Sequence, residues 1–175
     1  MQMNIKTAYT IGYEGTDIDR FVATLVAVGI EWVADVRALP ISRKKGFSKK
    51  ALAERLSEVG IGYAHFAHLG DPKPGRDAAK SGDYDAFQKI YRAHFAQESS
   101  QNDLEKLSTS LAEKYGCLLC FERDARYCHR SIISEELRQN GFQIFDIYGD
   151  VPSRYDRFPQ IRAGAHISQS IAAAE

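Results

Sequence analysis

The densest group of chemically reactive residues lies between Cys117 and Arg130, where the sequence reads Cys-Leu-Leu-Cys-Phe-Glu-Arg-Asp-Ala-Arg-Tyr-Cys-His-Arg. The segment opens with an apolar run typical of a buried strand, and a charged stretch then leads to Cys128, where a helical pattern begins. The positive end of a helix dipole and a neighbouring arginine both favour a thiolate over a thiol. We therefore predict that Cys128 is a nucleophile or a redox-active thiol.

Two other side chains of this segment have the chemistry of proton-transfer groups. His129 directly follows Cys128, and Glu122 lies at the end of the apolar run. A thiolate–imidazole pair is one way in which proteins activate a cysteine, so we place His129 and Glu122 in the predicted catalytic set. Adjacent residues rarely direct both side chains to one point, so a packing or capping role for Cys128 and His129 stays open.

The cysteines allow two alternative interpretations. Cys117 and Cys120 have the spacing of half a zinc site, but no second pair follows, and burial as packing residues is the simpler explanation. Cys120 and Arg126 have the spacing of a phosphatase-type loop, in which a thiolate attacks phosphorus. No glycine lies between them to turn backbone N–H groups inward. We predict no metal ion and no cofactor.

Further polar residues follow the earlier predicted strands. Tyr13 and Glu14 come after the first strand, and Asp35 and Arg37 lie on the same side of the second strand at its end. Asp35 and Arg37 form either a salt bridge with each other or part of the site, in which Asp35 orients Arg37. Ligands of open α/β sheets bind outside the carboxyl ends of the strands, where these residues are expected.

The most basic stretch runs from Arg37 to Lys50 and contains no acidic residue. Such a stretch is most often a solvated loop, but the lack of acids also favours contact with phosphates. We place Arg43 in the predicted substrate-binding set, together with Tyr13, Glu14, Arg37 and Arg130. The predicted partner is a phosphate-bearing small molecule or a nucleic acid.

The order of the predicted elements gives the fold class. Strands are predicted at residues 9–13, 30–36, 61–66, 118–121 and 143–148, with helical patterns between them. This alternation predicts an α/β three-layer sandwich with a mainly parallel sheet of about five strands and helices on both faces. Residues 71–83, rich in Pro, Gly and Asp, are predicted as a long functional or mobile loop. We predict one domain over residues 1–150 and a partly disordered extension over residues 151–175.

Composition excludes several classes of protein. The 175 residues include 23 Lys+Arg and 23 Asp+Glu, so no overall charge attracts the chain to nucleic acid or to a membrane. No apolar segment approaches the roughly 20 residues that span a bilayer, and the first residues lack a signal-peptide pattern. Three cysteines do not complete a disulfide framework. We expect a cytoplasmic protein with no membrane partner and make no prediction of its oligomeric state.

These motifs resemble those of the domain-of-unknown-function 488 family. The similarity runs from about Tyr9 to Tyr148, and its most specific part is the Cys-x-Glu…Cys-His-Arg ending. The other matching motifs are Thr10-Ile-Gly-Tyr-Glu-Gly15, Asp35-Val-Arg37, Pro40 and Ser42 before Gly46-Phe-Ser48, and Gly62-Tyr63 leading to Leu69-Gly70.

The resemblance implies a single bacterial or archaeal α/β domain, and it implies no established reaction. Two hypotheses of different kinds therefore stay open. The first is an enzyme that acts on a nucleotide, a nucleic acid or another phosphate-bearing substrate. The second is a non-catalytic module that binds a nucleic acid or a nucleotide at the same residues.

Overall fold

A five-stranded parallel sheet forms the centre of the computed structural model, which describes residues 6–156. The strands are β1 Lys6–Gly12, β2 Trp32–Asp35, β3 Gly62–His65, β4 Gly116–Cys120 and β5 Phe142–Tyr148. Their order in the sheet is β3-β2-β4-β1-β5, and every pairing between neighbours is parallel. The predicted disorder of the C-terminal extension falls largely on residues 157–175, which lie outside the described residues.

Six α-helices in the described part of the chain cover the two faces of the sheet, so the predicted three-layer α/β sandwich is confirmed. They are α1 Ile18–Val28, α2 Lys49–Ser57, α3 Lys73–Lys80, α4 Tyr84–Phe95, α5 Glu98–Glu113 and α6 Arg130–Gln139. The apolar sides of α1 and α2 pack on one face, and those of α4, α5 and α6 pack on the other. None of these helices is long and apolar enough to cross a membrane.

Alternation along β4 separates the first two cysteines. Cys117 and Leu119 pack with α1 and α2, whereas Leu118 packs with the helices of the opposite face. Because successive side chains of a strand point to opposite faces, Cys120 lies on the Leu118 side. Cys117 is a buried packing residue, and it does not form half a metal site with Cys120.

The prediction of a loop over residues 71–83 is wrong, because α3 lies within this stretch. Pro72 occupies the N-cap of α3 and Pro74 its first turn, where a missing N–H group costs nothing. A Cβ atom on Gly75 would collide with the Asp71 carboxylate, so the glycine lets this carboxylate lie close to the first turn of α3. The proline and glycine that indicated a loop are thus compatible with the start of a helix.

The fourth strand ends at a different residue from the one predicted. Phe121 was predicted as its last buried residue but lies beyond β4 and is exposed. Its ring packs edge-on against the Tyr13 ring, with 5.2 Å between the centroids. The chain thus leaves the sheet one residue earlier than its apolar pattern indicates.

Two glycines allow backbone segments to approach closely at the carboxyl edge of the sheet. A Cβ atom on Gly12, at the end of β1, would collide with the carbonyl group of Glu122. A Cβ atom on Gly70 would collide with the backbone of Ala38, beyond the end of β2. These approaches hold Glu122 and Asp71 beside the central strands.

We expect Gly70→Ala to destabilise the protein by about 1–3 kcal/mol or more, because the added Cβ atom meets backbone rather than a flexible side chain. Urea unfolding followed by circular dichroism measures the loss. Gly62→Ala is the control, since its nearest neighbour is the Trp32 Cβ atom at 3.3 Å. A loss at Gly70 no larger than at Gly62 would show that the approach to Ala38 does not constrain the fold.

Candidate active site

The carboxyl edge of the sheet contains a cleft of about 450 Å³. An adjoining depression of about 470 Å³ shares with it the side chains of Asp71, Arg76, Lys80, Phe121 and Glu122. Five residues of the predicted site line the cleft: Tyr13, Arg37, Arg43, Glu122 and His129. Glu14 lines the adjoining depression, and the remaining three, Asp35, Cys128 and Arg130, are buried behind these surfaces.

Two cysteines and a histidine form a buried cluster at the floor of the cleft. His129 Nδ1 lies 3.8 Å from Cys120 Sγ and 3.7 Å from Cys128 Sγ. Cys120 Sγ also lies 3.3 Å from Glu122 Oε2. The cysteines differ in access, because Cys120 is 6% exposed and lines the cleft, whereas Cys128 is 2% exposed and lies behind it.

The backbone explains why adjacent side chains meet at this point. Cys128 is extended, with φ −130° and ψ 148°, and its successor His129 is helical, with φ −58° and ψ −17°. The chain therefore changes direction between them, where His129 serves as the N-cap of α6. Spacing alone gives no sign of this bend, which brings the sulfur of Cys128 next to the imidazole.

The orientation of the His129 ring is fixed from its other nitrogen. His129 Nε2 lies 2.8 Å from the backbone oxygen of Val36, so the Nε2–H group donates to that carbonyl. The ring also packs against Tyr91, with 5.1 Å between the centroids. Because Nε2 is held at the Val36 carbonyl, Nδ1 is the nitrogen that faces the two sulfurs.

Arg130 is a buried cation at the first position of α6, with 1% of its surface exposed. Its Nε donates to Cys128 Sγ at 3.4 Å, its Nη1 donates to Thr10 Oγ1 at 2.6 Å, and its Nη2 donates to the Glu122 carbonyl. The Thr10 hydroxyl donates in turn to Asp146 Oδ1 at 3.1 Å. Within residues 6–156 Arg130 makes no salt bridge to a carboxylate, so the sulfur of Cys128 is the anionic group it contacts.

The charge states of the cluster follow from these contacts. Burial alone would raise the pKa of Cys128, but the hydrogen bond from Cys120 and the positive charges of His129 and Arg130 hold it well below its ordinary value. The hydrogen bond to Cys128, followed by burial, raises the pKa of Cys120 well above its ordinary value. Burial opposes the charged form of His129, but the neighbouring Cys128 thiolate raises its pKa. These shifts favour a thiolate at Cys128 beside a neutral thiol at Cys120, and they favour protonation of His129.

Two carboxyl groups of the cleft resist ionisation. Burial raises the pKa of Glu122 to about 7, and the negative charge of Cys128 acts in the same direction. Burial raises the pKa of Asp71 to about 6, although the positive charges of His129 and Arg76 oppose the shift. Both groups change protonation state near neutral pH.

Asp71 was not among the predicted site residues. It is 7% exposed, and its Oδ1 atom is buried and accepts no hydrogen bond from the described residues. Its position directly after the Leu69-Gly70 motif could have indicated a site residue. The prediction of a loop over residues 71–83 led us to overlook it. The approach of Gly70 to Ala38 brings the carboxyl group to the cleft.

Asp35 and Arg37 form a buried bidentate salt bridge. Arg37 Nε lies 2.8 Å from Asp35 Oδ1, and Arg37 Nη2 lies 2.6 Å from Asp35 Oδ2. The Tyr63 hydroxyl donates to Asp35 Oδ2 at 2.6 Å, and Arg37 Nη1 donates to the Phe47 carbonyl at 2.8 Å. The pair thus links the end of β2 to β3 and to the basic stretch, as the salt-bridge interpretation predicts.

Three cations near the cleft are free of salt bridges within the described residues. Arg43, Lys44 and Lys45 form a basic triplet, and Arg43 is the member that lines the cleft. Lys44 Nζ instead donates to the Tyr13 carbonyl at 3.1 Å, and Lys45 is exposed to solvent outside the cleft. Arg76 and Lys80 of α3 also line it. The cleft is therefore rimmed by positive charge that is available to a ligand.

A family model described as "Domain of unknown function DUF488" matches residues 17–137. The chain belongs to the DUF488 family. The resemblance on which the sequence analysis relied is confirmed over this span, which contains both cysteines of the cluster and most of the cleft. Comparison with curated proteins and with solved structures gave no match.

The phosphatase-loop interpretation does not fit this DUF488 domain. The Arg126 side chain is 81% exposed and forms a salt bridge with Asp124 at 2.6 Å. It lines neither the cleft nor the adjoining depression. A loop that wraps a phosphate between Cys120 and Arg126 is therefore not formed.

We expect Asp71→Asn to stabilise the domain by about 1–3 kcal/mol above about pH 7 and to change its stability little below about pH 4. The folded state favours the neutral acid, so the contribution of Asp71 is fully present below its unfolded pKa and is lost as pH rises through about 6. Urea unfolding at a series of pH values, with a chelator and a reductant, measures the difference.

The control for this prediction is Asp77→Asn on the exposed side of α3. The Asp77 carboxylate lies 2.6 Å from Lys73 Nζ, and this hydrogen bond lowers its pKa. Asp77→Asn should therefore give no stabilisation at high pH. A difference between wild type and Asp71→Asn that is constant from about pH 4 to pH 8 would refute the assignment of the raised pKa to Asp71.

Proposed function

We propose that this DUF488 domain is an enzyme that acts on a phosphate-bearing substrate bound in the cleft. The observation that supports this most directly is the buried Asp71 carboxyl group, whose Oδ1 atom has no hydrogen-bond partner within residues 6–156. It lines the same cleft as the three cationic side chains without salt bridges and as Cys120 and His129 of the cluster. A nucleotide or a comparable small phosphate ester is the substrate class that fits these features.

The positive rim supports binding of phosphate. Arg43, Arg76 and Lys80 form no salt bridge with a described carboxylate, although Arg76 Nη1 donates to the Asp71 backbone carbonyl at 2.6 Å. Guanidinium groups match the geometry of phosphate oxygens. The volume of about 450 Å³ falls within the roughly 300–1,000 Å³ of small-molecule sites. The proposal therefore assigns the anion-binding role to these three side chains.

Arg37 and Arg130, which the sequence predicts as substrate-binding residues, have a different part in this proposal. Arg37 already donates to Asp35 and to the Phe47 carbonyl, and Arg130 already donates to Cys128 and Thr10. A phosphate would have to displace these buried contacts. We therefore assign to both arginines the positioning of the cleft walls.

The two carboxyl groups favour an enzyme over a binding module. A carboxylate beside a bound phosphate repels it, so a site selected for binding alone gains nothing from Asp71 and Glu122. A buried carboxyl group without a hydrogen-bond partner also costs stability. A group of this kind with a pKa of about 6 is suited to proton transfer at neutral pH, and this is the role proposed for Asp71.

We expect Arg43→Ala to weaken binding of nucleotides about tenfold or more, because a charged hydrogen bond contributes roughly 1.5–3 kcal/mol. Isothermal titration with nucleoside mono-, di- and triphosphates and with inorganic phosphate measures the affinity in metal-free protein. Lys45→Ala is the matched control, since Lys45 belongs to the same basic triplet but does not line the cleft. Equal losses of nucleotide affinity in the two variants would mean that binding depends only on the overall charge of the protein and not on Arg43.

We expect Asp71→Asn to retain ligand binding and to lose turnover by about 10²–10⁴-fold, the usual contribution of a proton-transfer group. Incubation of the wild type with each bound phosphate compound, followed by phosphorus NMR and ion-exchange chromatography, identifies the product. If the wild type binds a ligand and leaves it unchanged, the domain is a binding module. If Asp71→Asn reacts at the wild-type rate, Asp71 has no part in catalysis.

A further inference from the structure

We infer that Cys120, Cys128 and His129 bind a divalent transition-metal ion of the zinc class, with one coordination position open to the cleft. Among residues 6–156 these three form the group of potential ligands whose donor atoms all lie within 4.8 Å of one another. All three are buried. This inference does not depend on the nature of the substrate, because it concerns the metal and the protein alone.

The distances match those of a tetrahedral site. With metal–sulfur bonds of about 2.3 Å and metal–nitrogen bonds of about 2.0–2.1 Å, a sulfur and a nitrogen ligand lie about 3.5 Å apart. The two sulfurs lie 3.8 and 3.7 Å from His129 Nδ1. Both distances lie within about 0.3 Å of that value, and the two sulfurs lie within 4.8 Å of each other.

The surroundings of His129 are those of a metal-binding imidazole. Ligating histidines commonly donate their second N–H group to a backbone carbonyl, which fixes the tautomer and the ring orientation. The Nε2–H group of His129 makes this bond to Val36, and the bond directs Nδ1 toward the sulfurs. Arg130 provides the corresponding support for Cys128, because its Nε donates to the sulfur atom.

The charges of the cluster balance around such an ion. A divalent ion carries two positive charges, and the thiolates of Cys120 and Cys128 carry two negative charges. A buried site that reaches neutrality in this way avoids the cost of an unpaired charge.

The position of the ligands indicates which side of the ion is open. Cys120 and His129 line the cleft, whereas Cys128 lies behind them, so the ion would face the cleft from its floor. Three protein ligands and a water molecule are the usual pattern of catalytic zinc sites. Thiolate and imidazole ligands select zinc-like ions over Mg²⁺ and Ca²⁺. This site is not the half zinc site that the spacing of Cys117 and Cys120 suggested, because Cys128 is a ligand and Cys117 is not.

The test uses Co²⁺ as a spectroscopic probe in reduced, metal-free wild-type protein. We expect one equivalent to bind, with a near-ultraviolet charge-transfer band whose intensity corresponds to two thiolates and with the visible bands of tetrahedral cobalt. Zn²⁺ should abolish these bands by displacing cobalt. A folded and fully reduced wild type that binds no cobalt, or binds it without a thiolate band, would overturn the inference.

The variants identify the ligands. We expect Cys120→Ala, Cys128→Ala and His129→Ala each to weaken Zn²⁺ binding more than about 100-fold, since loss of even outer-shell partners costs about 10–100-fold. Cys117→Ala is the matched control, because Cys117 is a buried cysteine of the same strand on its other face. Wild-type affinity in any of the three site variants would place the metal elsewhere.

The cobalt spectrum of the wild type tests the metal site by itself, so the inference can still be refuted if a site variant fails to fold. Nucleotide binding at Arg43 is measured without metal, so failure of the metal test leaves the proposed function standing, and the reverse also holds.

Discussion

The site depends on the buried guanidinium of Arg130. This side chain of α6 contacts β1 through Thr10, the loop after β4 through the Glu122 carbonyl, and the sulfur of Cys128. A buried cation requires an anion or an equivalent set of acceptors beside it. Together with the hydrogen bond from Cys120 and the charge of His129, Arg130 favours the thiolate form of Cys128, and the thiolate in turn favours protonation of His129. The Arg130 side chain thus contributes to the charge of the cluster and joins three segments of chain.

A second buried ion pair shapes the other wall of the cleft. Arg37 is held by Asp35 and fixes the Phe47 carbonyl, and the Phe47 ring stacks on Tyr13 with 4.4 Å between the centroids. The basic stretch is thereby attached to the sheet at both of its ends, since it also begins at Arg37. Arg43 projects from a segment that is anchored on either side, which favours a defined position for its charge at the rim.

The sequence was sufficient to predict the sheet and the edge at which the site lies, because strand periodicity and βαβ order both reflect local physical preferences. The positions of Asp35, Arg37 and Glu122 at the carboxyl edge were predicted correctly because each ends or closely follows an apolar strand. The strand order and the access of Cys120, rather than Cys128, to the cleft depend on tertiary contacts. The contact between Cys128 and His129 depends on one backbone bend. Asp71 and α3 were missed because proline and glycine have the same local signature in a loop and in a first helical turn.

The strand order has a consequence for how the protein is made. The neighbours of β1 in the sheet are β4 and β5, which begin at residues 116 and 142. While the ribosome synthesises the first 115 residues, β2 and β3 can pair only with each other, and β1 has no neighbour. Such long-range pairing delays folding. Cys120, Cys128 and Arg130 also lie in the final third of the chain, so neither the pairing of β1 nor the assembly of the Cys–His cluster can precede the synthesis of this part.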